Sequence, residues 1–250
     1  MLSLGNDLLE EPEPVSNSNT ALSSQRTLRP LDHSSGRRPL PAMRHYLLEA
    51  IAERLPCPYQ VAGCEVALAT CEVEEHAREC FFRDMLCPLG TLNTCFWTGK
   101  LTQLMDHFRQ NHPLNCNICN ESDMQVSGIC EDRDMHYVYL IAQTNMHFLI
   151  TVKTATVDKA VHICIQYIGS KEEARRYIYE IHINSVHDAA SRVVFVERCF
   201  NDTIQVDDIF RESKCVSIPL RKLRHYVEDE KLAFKFVIKK EAQSSALKKK

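Results

Sequence analysis

No stretch of this 250-residue chain reaches 18 consecutive apolar residues, so no segment reads as a membrane-spanning helix. The opening MLSLGNDLLEEPEP carries acids where a secretory signal needs basic residues and a continuous apolar run. The expected setting is the cytoplasm, with the nucleus as a second compartment. Residues 1–41 hold no aromatic side chain at all, and Pro12, Pro14, Pro30, Pro39 and Pro41 stand among Ser, Asn and Thr. Such a stretch does not offset the backbone entropy of ordering, so residues 1–42 are predicted to be a disordered tail. An excess of positive charge is missing too. The formal net charge is -3, and residues 57–112 carry seven acids against four basic residues, the wrong balance for replacing phosphate counterions. Nor is there an HExxH, a glycine-rich phosphate loop, or a cysteine nucleophile with a histidine partner in a characteristic motif. No intrinsic catalysis is expected.

What the chain does have is cysteine: twelve in all, most of them between Cys57 and Cys130. In a reducing compartment these are poor disulfide candidates, and metal is the better explanation. Their spacing supports it. Cys57 and Cys64 are separated by six residues, eleven more lead to His76, and Cys80 follows after three; then Cys87 and Cys95 are separated by seven, eleven more lead to His107, and His112 follows after four. Each first pair would sit at the ends of a turn relieved by Gly63 or Gly90. Each second pair would lie about one turn apart on a helix, on one face. Thr70 or Glu72 is placed to open the first helix, and Leu101, Leu104, Met105 and Phe108 form an apolar stripe on the second. Residues 57–112 are therefore read as two ββα fingers, Cys3His and Cys2His2, each closed around one structural Zn2+ that supplies much of its folding free energy. Cys71 reads as a spare thiol or a helix-start contact. Cys116-x2-Cys119, with Cys130 behind, invites a third site, for which His136 is the best fourth ligand.

From Met135 onward the periodicity becomes that of strands. Tyr137, Tyr139 and Ile141 share one alternation, as do Tyr177, Tyr179, Ile181 and Ile183, and Leu232, Phe234, Phe236 and Ile238. The runs MHYVYLIAQTNMHFLITV, VHICIQYIG, SRVVFVERC and TIQVDDIF add further strands. A short helix is expected over Pro219–Tyr226 with Ser217 as its cap. The fold class is mainly β, with an antiparallel sandwich over residues 113–240 and a basic tail over 241–250.

The arrangement resembles the substrate-binding region of the Seven in absentia (Sina/Siah) family of ubiquitin ligases. The residues that carry the likeness run from about 43 to 238: MRHYLLEAIAERLP, CPYQVAGCE, HAREC, LCPLGTLNTC, FWTGKLTQLMDHFRQNH, YVYLIAQTNMHF, IQYIGSKEEARRYIYEIHIN and SKCVSIPLRKL. The resemblance implies a lead-in helix over residues 43–56, two zinc fingers and a TRAF-like sandwich. It also implies dimerisation, with itself or a relative, and a groove beside an edge strand that takes short extended peptides of substrate proteins. It sets Cys116, Ile118, Tyr137 and Tyr139 at groove positions, the last two where relatives carry tryptophan and methionine.

The sequence departs from the family in three places. A RING needs eight metal ligands, and residues 1–56 contain no cysteine and only His33 and His45. The second finger has one residue more between its cysteines. The segment between His112 and His136 is shorter and holds the three extra cysteines. The reading is a RING-less, Sina-like peptide-binding adaptor in ubiquitin-dependent degradation, with a ubiquitin-conjugating enzyme engaged only through a RING-bearing relative. One alternative is a ligase component active through such a partner. The other is nucleic-acid binding by the fingers, which residues 99–110 support poorly, with only Lys100 and Arg109 as basic groups.

Overall fold

A computed structural model describes residues 54–130, 132–143, 146–188 and 190–241. The expected tail over 1–42, most of the lead-in helix and nearly all of the basic tail lie outside these residues. The last three residues of the expected helix correct it: Arg54–Pro56 is a strand, β1, paired antiparallel with β2 (Ala67–Ala69). Zipping Arg54 onto Ala69 gives the first finger its hairpin. Helix α1 (Val73–Glu79) follows, with Glu72 at its cap position. The second finger repeats the plan with β3 (Asp84–Leu86), β4 (Thr98–Lys100) and α2 (Leu101–Asn111).

The remainder is a two-layer sandwich. Its elements, in chain order, are β5 (Cys116–Asn117), β6 (Glu121–Val126), β7 (Met135–Gln143), β8 (Met146–Ala155), β9 (Ala160–Tyr167) and α3 (Lys171–Ala174). Then come β10 (Tyr177–Asn184), β11 (Arg192–Arg198), β12 (Phe200–Asn201), α4 (Val206–Arg211), β13 (Val216–Pro219), α5 (Leu220–Leu223), β14 (Val227–Glu228) and β15 (Lys231–Lys240). One sheet runs β12-β9-β8-β7-β5, with β13 also on β9; the other runs β11-β10-β15-β14, with β6 also on β15. The pairing is antiparallel except for two short parallel contacts, β5 on β7 and β12 on β9.

The alternations read from the sequence face inward. Tyr179, Ile181, Leu232, Phe236 and Ile150 pack into one buried core between the sheets, each such side chain contributing about 1.5–3 kcal/mol. Tyr179 keeps its hydroxyl satisfied there by donating to the Ile163 carbonyl at 3.2 Å. Two expectations are corrected. TIQVDDIF is not a strand; Val206, Ile209 and Phe210 recur at helical spacing on α4 and cover Cys164 and Cys215. Ser217 is no helix cap: it lies in β13 opposite His162, and the short helix α5 starts after Pro219.

The outer face of the β7 sheet is not left to solvent. Val138, Leu140, Ala142 and Leu149 form a second buried cluster with Leu101, Leu104, Met105 and Phe108 of α2. The apolar stripe of the second finger is thus a docking face against the sandwich.

Candidate metal centres and peptide groove

The eight residues picked out by spacing come together in two groups. Cys57, Cys64, His76 and Cys80 form one, Cys87, Cys95, His107 and His112 the other, and within each group the donor atoms lie within 4.8 Å of one another. The local chain explains the convergence. Cys57 and Cys64 flank a turn of 3-10 helix, Gln60–Ala62, that ends at Gly63 with φ 113°. A Cβ at Gly63 would stand 2.9 Å from the Phe82 ring, so both the turn and the close approach require glycine. In the second finger the left-handed position falls to Asn93 (φ 55°) rather than Gly90; asparagine tolerates that region better than other side chains. His76 lies on α1 with Cys80 just past its end, and His107 lies on α2 with His112 just past its end.

The donor spacing fits a tetrahedral ion. Cys57 Sγ and Cys80 Sγ are 3.8 Å apart, and the Cys64 Sγ–His76 Nε2 and Cys95 Sγ–His107 Nε2 separations are both 3.4 Å. Tetrahedral bonds of ~2.3 Å to sulfur and ~2.0–2.1 Å to nitrogen put such atoms ~3.8 and ~3.6 Å apart. Burial pushes the Cys80 thiol up to about 12 and the Cys87 thiol to about 11, a cost that a bound cation offsets by favouring the thiolate. The buried Nε2 of His112 has no hydrogen-bond partner, as expected of an atom reserved for a metal. Trp97 stacks on His107 at 4.3 Å and 7°, fixing that ring. Four candidate donors in each cluster are the number a closed structural site uses.

Among the described residues Cys116, Cys119 and Cys130 are not gathered into a third cluster with His136. Cys71 is exposed. The four groove candidates divide between two faces of β7. Tyr137 and Tyr139 point toward the space between the sheets, stacked at 6.4 Å, and the Tyr137 hydroxyl donates to the Ser127 carbonyl. Cys116 packs with the finger cluster on the other side. Ile118, 62% exposed, borders a cleft with Met105, Ala142 and His147. The free edge of β7 runs between these two pairs: β5 covers it only at Leu140 and Ile141.

Sequence reasoning missed the residues that clamp the fingers to the sandwich. Glu79, next to Cys80 of the first cluster, accepts from the Lys171 backbone N–H at 3.0 Å and from the Asn201 side chain at 3.2 Å. Lys171 Nζ also pairs with Glu75 at 2.8 Å. These partners lie about a hundred residues apart in the chain, and no local pattern marks them.

The sequence itself matches two domain profiles: the zinc finger of Sina over residues 50–125 and the TRAF-like domain of Sina over residues 141–237. Fold and clusters define a two-finger scaffold joined to a TRAF-like sandwich. The chain belongs to the Sina/Siah family. It is 25% identical over 162 residues to the E3 ubiquitin-protein ligase siah-1 of Caenorhabditis briggsae, covering 60% of this chain and 36% of that protein. It is 23% identical over 200 residues to the E3 ubiquitin-protein ligase sina of Drosophila melanogaster, covering 71% of this chain and 62% of that one. The chain thus spans between about a third and two thirds of these relatives. No described helix is long and apolar enough to cross a membrane.

Proposed function

We propose that this chain is a peptide-binding adaptor in ubiquitin-dependent protein degradation, braced by two structural zinc ions. Cys57, Cys64, His76 and Cys80 hold one ion, and Cys87, Cys95, His107 and His112 hold the other. The observation that carries the reading is the state of β7. Its outer face is fixed by the second finger, whereas among the described residues its edge from Met135 to Tyr139 pairs with no strand. A rigid strand with an open edge is a template for an extended segment, with main-chain bonds giving affinity and flanking side chains giving selection. Tyr137 and Tyr139 would flank the added segment on one side, Cys116 and Ile118 on the other.

The relatives named above are ligases. Each of the two clusters offers four candidate donors, which fills a structural site and leaves no place for chemistry, and we assign transfer of ubiquitin to a RING-bearing relative with which this chain pairs. The test is affinity capture by the intact chain beside a Tyr137→Ala, Tyr139→Ala double variant shown to be folded by circular dichroism. Loss of a discrete set of captured proteins, substrates of a ligase among them, supports the groove. Identical capture by both chains removes it. Ubiquitin chains built by the purified protein with a conjugating enzyme alone would overturn the division of labour.

A further inference from the structure

The sandwich has a second open flank, opposite the β7 edge. There β11 is the terminal strand of its sheet, bonded only to β10 among the described strands. Its central residues are Val193, Val194, Phe195 and Val196, four apolar side chains in a row with no charge among them. Free edges in stable proteins are usually blunted by charge, proline or a bulge. This one is not. Val194 and Val196, on the outer side, are 40% and 54% exposed, so the middle of the strand is apolar on both faces.

Beneath the inner side lies a cavity of about 590 Å³, walled by Ile183, Phe195, Ile218 and Leu223 and open to solvent. That volume falls in the range of about 300–1,000 Å³ usual for ligand pockets. Its other lining groups include Arg221, Lys222 and His225, and no carboxylate lines it. On a chain whose formal net charge is -3, this is a local concentration of positive charge over an apolar slot.

We propose that the β11 flank is a second docking slot, for an extended acidic and aliphatic segment of another protein. The segment adds as a strand to β11, sends an aliphatic side chain into the cavity, and sets carboxylates against Arg221 and Lys222. A second copy of the chain fits less well, because a two-fold contact places the same basic rim near itself. The slot is separate from the β7 edge, so the chain can hold two peptides at once.

The experiment uses the full zinc-loaded chain and a fluorescein-labelled synthetic peptide of alternating leucine and glutamate, with a leucine–lysine peptide as control. Anisotropy should show saturable, salt-sensitive binding of the acidic peptide and none of the basic one. An Arg221→Glu, Lys222→Glu double variant should weaken the acidic peptide about tenfold or more and admit the basic one. Val196→Glu, an exposed change on the edge itself, should weaken it as well, which keeps the test open if the double variant fails to fold. The Tyr137→Ala, Tyr139→Ala variant should bind unchanged. The proposal is overturned if neither charge variant alters binding, if the acidic peptide does not bind, or if only the tyrosine variant loses it. Sedimentation showing a dimer that the peptide cannot dissociate, and that Val196→Glu does dissociate, would assign the flank to self-association instead.

Discussion

Arg83, in the short segment between the two fingers, donates from Nη2 to the carboxylate of Asp202, which follows β12, and both side chains are almost fully buried. The same guanidinium donates to the carbonyl of Cys80, in the first Cys/His cluster, at 3.1 Å, and the second Asp202 oxygen accepts from the Gly169 N–H at 3.0 Å. One ion pair therefore joins the first metal centre, the start of the second finger and a loop of the sandwich. Burial raises the Asp202 carboxyl from its ordinary range even with Arg83 beside it, so the carboxylate depends on its partner.

Removing one member should cost far more than removing both. Arg83→Met leaves a buried carboxylate unpaired and should destabilise the chain by about 3–5 kcal/mol, whereas Arg83→Met with Asp202→Leu should recover most of that loss. Urea unfolding of the two single variants and the double variant measures the difference. Additive effects would mean that the pair contributes nothing as a pair.

Zinc content should be two ions per chain, and Cys87→Ser should reduce it to one. Because α2 covers Val138, Leu140 and Leu149, chelation should do more than unfold the fingers: it should uncover that face and lower the melting temperature of the sandwich. Metal analysis and calorimetry on the same samples test both points. An unchanged sandwich transition after chelation would show that the finger only rests on the sheet.

Leu104 separates packing from metal binding. It is fully buried between α2 and the sheet and ligates nothing. Leu104→Ala should cost about 2–5 kcal/mol through the cavity it leaves, with both ions retained. Loss of metal in this variant would mean that the second centre forms only on the docked finger.

Stability should fall in mild acid. His147 and His162 are buried on the same sheet, and burial lowers both from the ordinary histidine value; at His162 Asp158 opposes the shift and Lys153 adds to it. The unfolded chain then binds more protons than the folded one below about pH 6.5. Their contribution is complete above that pH and is lost as the pH drops toward the folded values. Urea midpoints at neutral pH and near pH 5 should differ, and His162→Gln should narrow the gap. Metal content followed alongside separates this effect from protonation of the ligands.

The strand alternations and the two Cys/His clusters were legible because both follow local periodicities. Tyr179 and Ile181 share one face wherever that strand is placed, and His76 on α1 stands one turn before Cys80, at the helix end. Residues 203–210 misled for the same reason. Val206, Ile209 and Phe210 suit a strand by residue type, and their helical spacing became decisive only when Cys164 and Cys215 gave that face something to cover.

The sequence by itself determined the two Cys/His clusters and the shared apolar faces of the sandwich strands, since turn, helix and strand geometry act over a few residues. Only the tertiary structure decided that α2 lies on β7, that Arg83 finds Asp202, and that among the described residues the first half of β7 and all of β11 keep an edge no strand covers. Those outcomes depend on groups brought together from about a hundred residues away, where burial and charge, not local backbone preference, select the partner.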